Sequence, residues 1–302
     1  MSFISRLAIP VCLMCLCLGN AGAVTVQDQQ GAFTFNGMAS RVVVLELSFV
    51  DALALVEVSP VGVADDNDPE RILPEVRQRI QPWQSVGTRS QPSLEAIAAL
   101  KPDLIIADSS RHGGIYAALK GIAPTLMLKS RNETYSENLE SAAIIGEVLG
   151  KNALMQPRLA EHHQRMQAFA GQLPEGEKVV FGTSREQQFN LHSRESYTGS
   201  VLTALGLIVP EPVNKQALAN ISLEQLLAID PEWLIVAHYR QESIVRQWQK
   251  DPLWQVMKAA QQNHVAAVDS NTWARMRGVF AAEHIASDAV AILHHRSRNE
   301  TP

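Results

Sequence analysis

One pattern recurs in this 302-residue chain without a gap. Ser93-Leu94-Glu95-Ala96-Ile97-Ala98-Ala99-Leu100-Lys101-Pro102-Asp103 runs into the apolar stretch Leu104-Ile105-Ile106. Starting 129 residues later, Ser222-Leu223-Glu224-Gln225-Leu226-Leu227-Ala228-Ile229-Asp230-Pro231-Glu232 runs into Trp233-Leu234-Ile235-Val236. Each copy reads as a serine N-cap, a helix apolar on one face, a proline that cannot continue it, and a buried strand. The same spacing also separates Arg111 from Arg240, each just past its strand. A repeated helix–strand unit implies two similar α/β halves, and 302 residues are enough for each to have its own core.

The rest of the chain fits that frame. The runs Val42-Val43-Val44-Leu45, Leu104-Ile105-Ile106, Val179-Val180-Phe181 and Leu234-Ile235-Val236 alternate with helical stretches over Phe49–Glu57, Leu94–Lys101, Gly199–Leu205, Leu223–Ile229 and Phe280–Leu293. Continuous apolar strands between helices predict an α/β fold of two Rossmann-like lobes, with mostly parallel sheets covered on both faces. The expected division is 24–150 for the first lobe, 151–171 for a long connecting α-helix and 172–302 for the second lobe, with a ligand cleft between the lobes. Pro157 inside the connector predicts a kink, or a helix start delayed to about Gln156.

Residues 1–23 read as a removable signal peptide. Arg6 precedes the apolar run Leu7 to Leu18, and Ala21-Gly22-Ala23 supplies small residues at the cleavage site. That run is shorter than the roughly 20 residues a spanning helix needs. Cys12, Cys15 and Cys17 are the only cysteines, so the exported chain would have no disulfide and no thiolate ligand. The expectation is a periplasmic protein, not embedded in the membrane. Acids outnumber Lys and Arg by 31 to 26, which gives no electrostatic footprint for a nucleic-acid partner.

Ligands of open α/β sheets gather beyond the C-terminal ends of the strands, and arginines cluster in those loops here. Arg89, Arg111, Arg185, Arg240, Arg275 and Arg277 all follow strand-like runs. A guanidinium meets a carboxylate with two parallel N–H bonds and stays charged at any relevant pH. These six predict a polyanion site, with Tyr239 and Trp273 as flat walls and Ser110 as a neutral donor. Enzyme signatures are weak. The chain has no G-x-G-x-x-G after the first strand, no Walker A loop and no G-x-S-x-G elbow. His112-Gly113-Gly114 has the look of an oxyanion loop but lacks a nucleophile. The pairs His162-His163 and His294-His295 occupy adjacent helix positions, which face different ways, and read as solvated. Asp65-Asp66-Asn67-Asp68 reads as a turn, not a calcium loop. No cofactor and no direct metal ligand are expected.

The motif S-L-E-x-[IL]-x-A-[LI]-x-P-[DE] in both halves resembles the helix-linked class of periplasmic solute-binding proteins, which serve ABC importers for siderophores, haem and cobalamin. The resemblance goes beyond the class as a whole, to its ferric-citrate binders. The likeness runs through Val26-Gln27-Asp28, Val43–Ala54, Ala64–Asn67, Ser85–Arg111, Phe181–Leu191, Ala237–Arg240 and Asp269–Gly278. It implies a monomer that captures iron(III) dicitrate, with the iron held by citrate, and delivers it to an inner-membrane ABC permease dimer. It also implies that Glu95 and Glu224, one on each lobe, dock on permease arginines. Another anionic carboxylate siderophore is the alternative cargo, and a periplasmic hydrolase is the reading from a different class.

Overall fold

The computed structural model describes residues 22–211 and 216–299. The expected signal segment, up to Ala21, and all three cysteines lie outside the described residues. The chain begins with an antiparallel hairpin, β1 (Val24–Asp28) and β2 (Gly31–Phe35). The first lobe's sheet comprises β3 (Val42–Val44), β4 (Gly62–Val63), β5 (Gln84–Ser85), β6 (Leu104–Asp108) and β7 (Thr125–Leu128). Its order is β5-β4-β3-β6-β7, with every pair parallel. The second sheet comprises β8 (Val179–Ser184), β9 (Phe189–His192), β10 (Leu218–Asn220), β11 (Trp233–His238) and β12 (Val265–Val268), in the order β10-β9-β8-β11-β12. There β8, β11 and β12 are parallel, while β9 is antiparallel to both neighbours.

The sequence repeat occupies equivalent places in the two sheets. β6 lies between β3 and the edge strand β7, and β11 lies between β8 and the edge strand β12. The helices that precede them, Leu94–Ala99 and Leu223–Ile229, are capped alike: Ser93 Oγ accepts from Ala96 N and Ser222 Oγ from Gln225 N. Lys101 (φ 47°) and Asp230 (φ 44°) both take the left-handed conformation directly before proline. A following proline disfavours right-handed helix in its predecessor, so both helices stop at the same station. The other half of each sheet differs. The first lobe adds β4 and β5 through crossovers, whereas the second doubles straight back from β8 into β9.

β3 is buried along its whole length, as are most residues of β6, β8 and β11. That is the burial expected of strands covered by helices on both faces. The connecting helix, Asn152–Ala170, has 19 residues and spans about 28 Å at 1.5 Å per residue. It buries Met155 in the first lobe's core and Met166 in the second's. It starts at Asn152, earlier than Pro157 led the sequence reading to expect. Pro157 sits in the second turn, where its missing N–H leaves the carbonyl of exposed Ala153 to solvent.

A second helix, Val279–Asn299, also crosses between the lobes. Val279 and Phe280 enter the first lobe's core, while Ile285, Ala286 and Ala289 enter the second's. Asp51, on the first-lobe helix Leu47–Leu55, caps this helix from across the boundary by accepting from Val279 N (2.8 Å) and Phe280 N (3.1 Å). Only glycine fits at 278, where φ is 131° and a Cβ would lie 2.2 Å from Asp51 Cγ. Burial pushes the Asp51 carboxyl up to about 8, against the pull of those N–H donors.

Candidate functional site: an arginine-lined cleft between the lobes

The loops beyond the strands of both sheets enclose a cleft of about 400 Å³, within the roughly 300–1,000 Å³ usual for small-molecule sites. All six expected arginines line it, and so does Tyr239. Arg71 and Arg131 line it as well, and the sequence reading missed both. Arg131 stands three residues past β7, a strand the reading did not recognise. Applying the strand-end rule to Thr125–Leu128 would have found it.

In the first lobe Arg71, Arg89 and Arg111 rest on acids. Asp66 accepts from Arg89 Nε (3.0 Å) and Nη2 (2.7 Å), and it also pairs with Arg71. Glu46, 1% exposed, pairs with Arg111 and lies 3.8 Å from Arg89. Asp108, fully buried at the end of β6, accepts backbone N–H from Arg111 (2.8 Å), Ser130 (2.8 Å) and Arg131 (3.2 Å). One carboxylate thus fixes two cleft loops. His112 Nδ1 accepts from Asp108 N (2.9 Å) and its Nε2 donates to the Arg89 carbonyl (2.8 Å). Burial lowers its pKa and keeps it neutral. Both ring nitrogens are occupied in holding the arginine loops, so His112 serves as a structural pin.

The second lobe holds Arg185, Arg275 and Arg277 with neutral groups. Arg275 Nη1 donates to Ser270 Oγ (2.9 Å) and Asn271 Oδ1 (2.9 Å). The Arg275 and Arg185 guanidiniums lie 4.2 Å and 4.8 Å from the Tyr239 ring centroid. Arg277 Nη1 reaches across the cleft to the first lobe's Ser130 carbonyl (2.7 Å). Arg240 is exposed, with Glu186 3.6 Å away. His192 in the floor is pushed down to about 3, first by burial and then by Arg277, and stays neutral. Burial also lowers the pKa of Arg275, as do the neighbouring charges of Arg71, Arg89 and Arg185. Crowded guanidiniums with few counter-charges create a positive potential suited to an anion.

Some expected residues lie elsewhere. Trp273 is fully buried, packs its ring against Phe181 and donates its indole N–H to Asp288 (2.8 Å), so it is a core residue and no wall of the cleft. Ser110 is exposed, is not among the lining residues and accepts a long bond from the lining Asn132 (3.5 Å). Glu95 and Glu224 are exposed in the first turns of the repeat helices, away from the cleft. His162, read as solvated, is instead fully buried between Tyr135 (2.6 Å) and Glu283 (2.8 Å). Asp66 of the acidic turn is spent on Arg71 and Arg89, and no cluster of three or more acidic, His or Cys residues suited to a metal occurs among the described residues.

Two α/β lobes closing on a cationic cleft define a solute-binding protein. The chain belongs to the periplasmic binding protein family, whose profile matches residues 42–272. It is 66% identical to the Fe(3+) dicitrate-binding periplasmic protein FecB of Escherichia coli, over 93% of this chain and 94% of that one. It is 41% identical to the Fe(3+)-citrate-binding protein YfmC of Bacillus subtilis, over 90% and 86%. In fold it is similar to Staphylococcus aureus SirA complexed with staphyloferrin B, with a TM-score of 0.77 at 20% identity, over 91% of this chain and 98% of that one.

Proposed function

We propose that this protein captures ferric citrate, iron(III) wrapped by two citrates, in the arginine cleft and hands it to an inner-membrane ABC permease. The observation that carries this reading is the convergence of arginines from both lobes on one cavity. Such a cavity supplies N–H donors to a preassembled anion. Arg89, Arg111, Arg185, Arg275 and Arg277 would read the citrate carboxylates, with Tyr239 backing two of them, while exposed Arg240 would draw the anion in from the rim. The relatives named for ferric citrate support the choice of cargo. The chain would work in the periplasm as a monomer without chemistry of its own, exported by the signal in residues 1–23. No described helix is long and apolar enough to cross a membrane. Glu95 and Glu224, exposed at matching stations of the two lobes, would dock on the permease.

Titrating ferric citrate while following the five tryptophans, or by calorimetry, tests the reading. Saturable binding at micromolar Kd or tighter is expected, equivalent to about −8 kcal/mol or better. An absence of any saturable response sinks it. Competition with other carboxylate chelates ranks the cargo. The double variant Glu95→Ala/Glu224→Ala should keep ligand affinity and lose iron uptake, and weakened ligand binding would place those acids in the cleft instead.

A further inference from the structure

Glu133 is the one carboxyl among the residues lining the cationic cleft, and no cation neutralises it. It is 1% exposed and lines the cavity, yet its Oε2 has no hydrogen-bond partner among the described residues. Its Oε1 accepts a single bond, from the neutral amide of Asn138 (3.0 Å). No guanidinium comes within ion-pair distance of it among the described residues, although arginines surround the cavity. The charged and titratable groups facing it are Arg277 from the second lobe, the first-lobe acids Glu46 and Asp108, and Tyr197 on the far wall. Burial first, then the acids Glu46 and Asp108, push the Glu133 carboxyl well above the usual range against the pull of Arg277 and Asn138, and so favour its protonated form. Bringing a second anion into the cleft strengthens that preference further.

We propose that Glu133 is a ligand-contacting hydrogen-bond donor whose neutral carboxyl donates its O–H to an anionic oxygen of the bound chelate. This rests on the ferric-citrate reading and adds to it a specific discriminating group. Arginines accept any anion, but an acid O–H at a fixed place requires an acceptor oxygen there. A cargo presenting an apolar group or an N–H at that position would leave the proton unpaired and be rejected. No bond beyond the hydrogen bond is made, and the proton stays on Glu133.

The test compares Glu133→Gln, which keeps a donor and the size without the charge, with Glu133→Met, which removes the donor. Calorimetric titration with ferric citrate at pH 7 should give Glu133→Gln a Kd within about threefold of wild type. Glu133→Met should lose about tenfold or more, close to one charge-assisted hydrogen bond. Infrared difference spectra of the two ferric-citrate complexes, wild type minus Glu133→Gln, should show a protonated-carboxyl C=O band, and this readout does not depend on Glu133→Met folding. Equal losses in both variants, unchanged affinity in Glu133→Met, or absence of the band would each overturn the proposal while the functional reading stands. Wild-type protein that fails to bind ferric citrate would overturn both together.

Discussion

Arg111 and Arg240 occupy the same station of the internal repeat and meet opposite surroundings. The Arg111 side chain is 16% exposed and sits on buried Glu46, whereas Arg240 is 71% exposed with Glu186 3.6 Å away. The contrast extends across the cleft. The first-lobe guanidiniums of Arg71, Arg89 and Arg111 are paired with Glu46 and Asp66, and Asp108 holds the backbone of their loop; second-lobe arginines are held by a tyrosine ring, a hydroxyl, an amide and a carbonyl. At the repeat position of Asp108 the second lobe has Ala237. A charge already neutralised is cheap to bury and rigid, but it has less left to give a ligand. The first half of the cleft therefore acts as a preset template, and the second supplies most of the unspent positive charge.

That division predicts different failures for the same substitution. Arg89→Ala removes two charge-assisted hydrogen bonds from Asp66, which keeps Arg71, and the more distant of Glu46's two cations; it should cost about 3 kcal/mol of folding stability, measurable by urea denaturation. A loss below about 1 kcal/mol would mean that the acids are solvated and the template idea is wrong. Arg275→Ala leaves no acid stranded. It should cost about 2–5 kcal/mol of ferric-citrate affinity with little loss of stability, and a variant that is destabilised yet binds normally would erase the contrast between the lobes. Tyr239→Leu removes the ring shared by Arg185 and Arg275 and should weaken binding by about 0.5–2 kcal/mol. Unchanged affinity there would show that the ring does not orient either guanidinium.

Much of this plan was legible because it is written in local patterns. Serine caps, proline stops and apolar strands gave the repeat, and the strand-end rule brought six arginines to one cavity. What stayed hidden depends on contacts between distant segments. Trp273 sits in a loop beside true lining residues, and only the packing of Phe181 and the placement of Asp288 fifteen positions on decide that it turns inward. Glu46 and Asp66 look like ordinary polar residues until the fold slides them under Arg111 and Arg89. The same holds for Val279–Asn299, whose first turn is pinned by Asp51 from the other lobe. His162 followed the rule that adjacent helix positions diverge, but its own side is the one that faces Tyr135 and Glu283.

Arg240→Ala should have the smallest effect of the series and sharpens the comparison most. A guanidinium 71% exposed and 3.6 Å from Glu186 interacts through water and salt. Its contribution to affinity should stay below about 1 kcal/mol and shrink further as ionic strength rises. What it retains is long-range attraction for an incoming anion, so the loss should fall on the association rate more than on dissociation. Stopped-flow binding at low and high salt separates the two. A large increase in dissociation rate that persists at high salt would mean that Arg240 swings inward onto the ligand, making it as much a clamp as Arg111 and removing the asymmetry between the two stations.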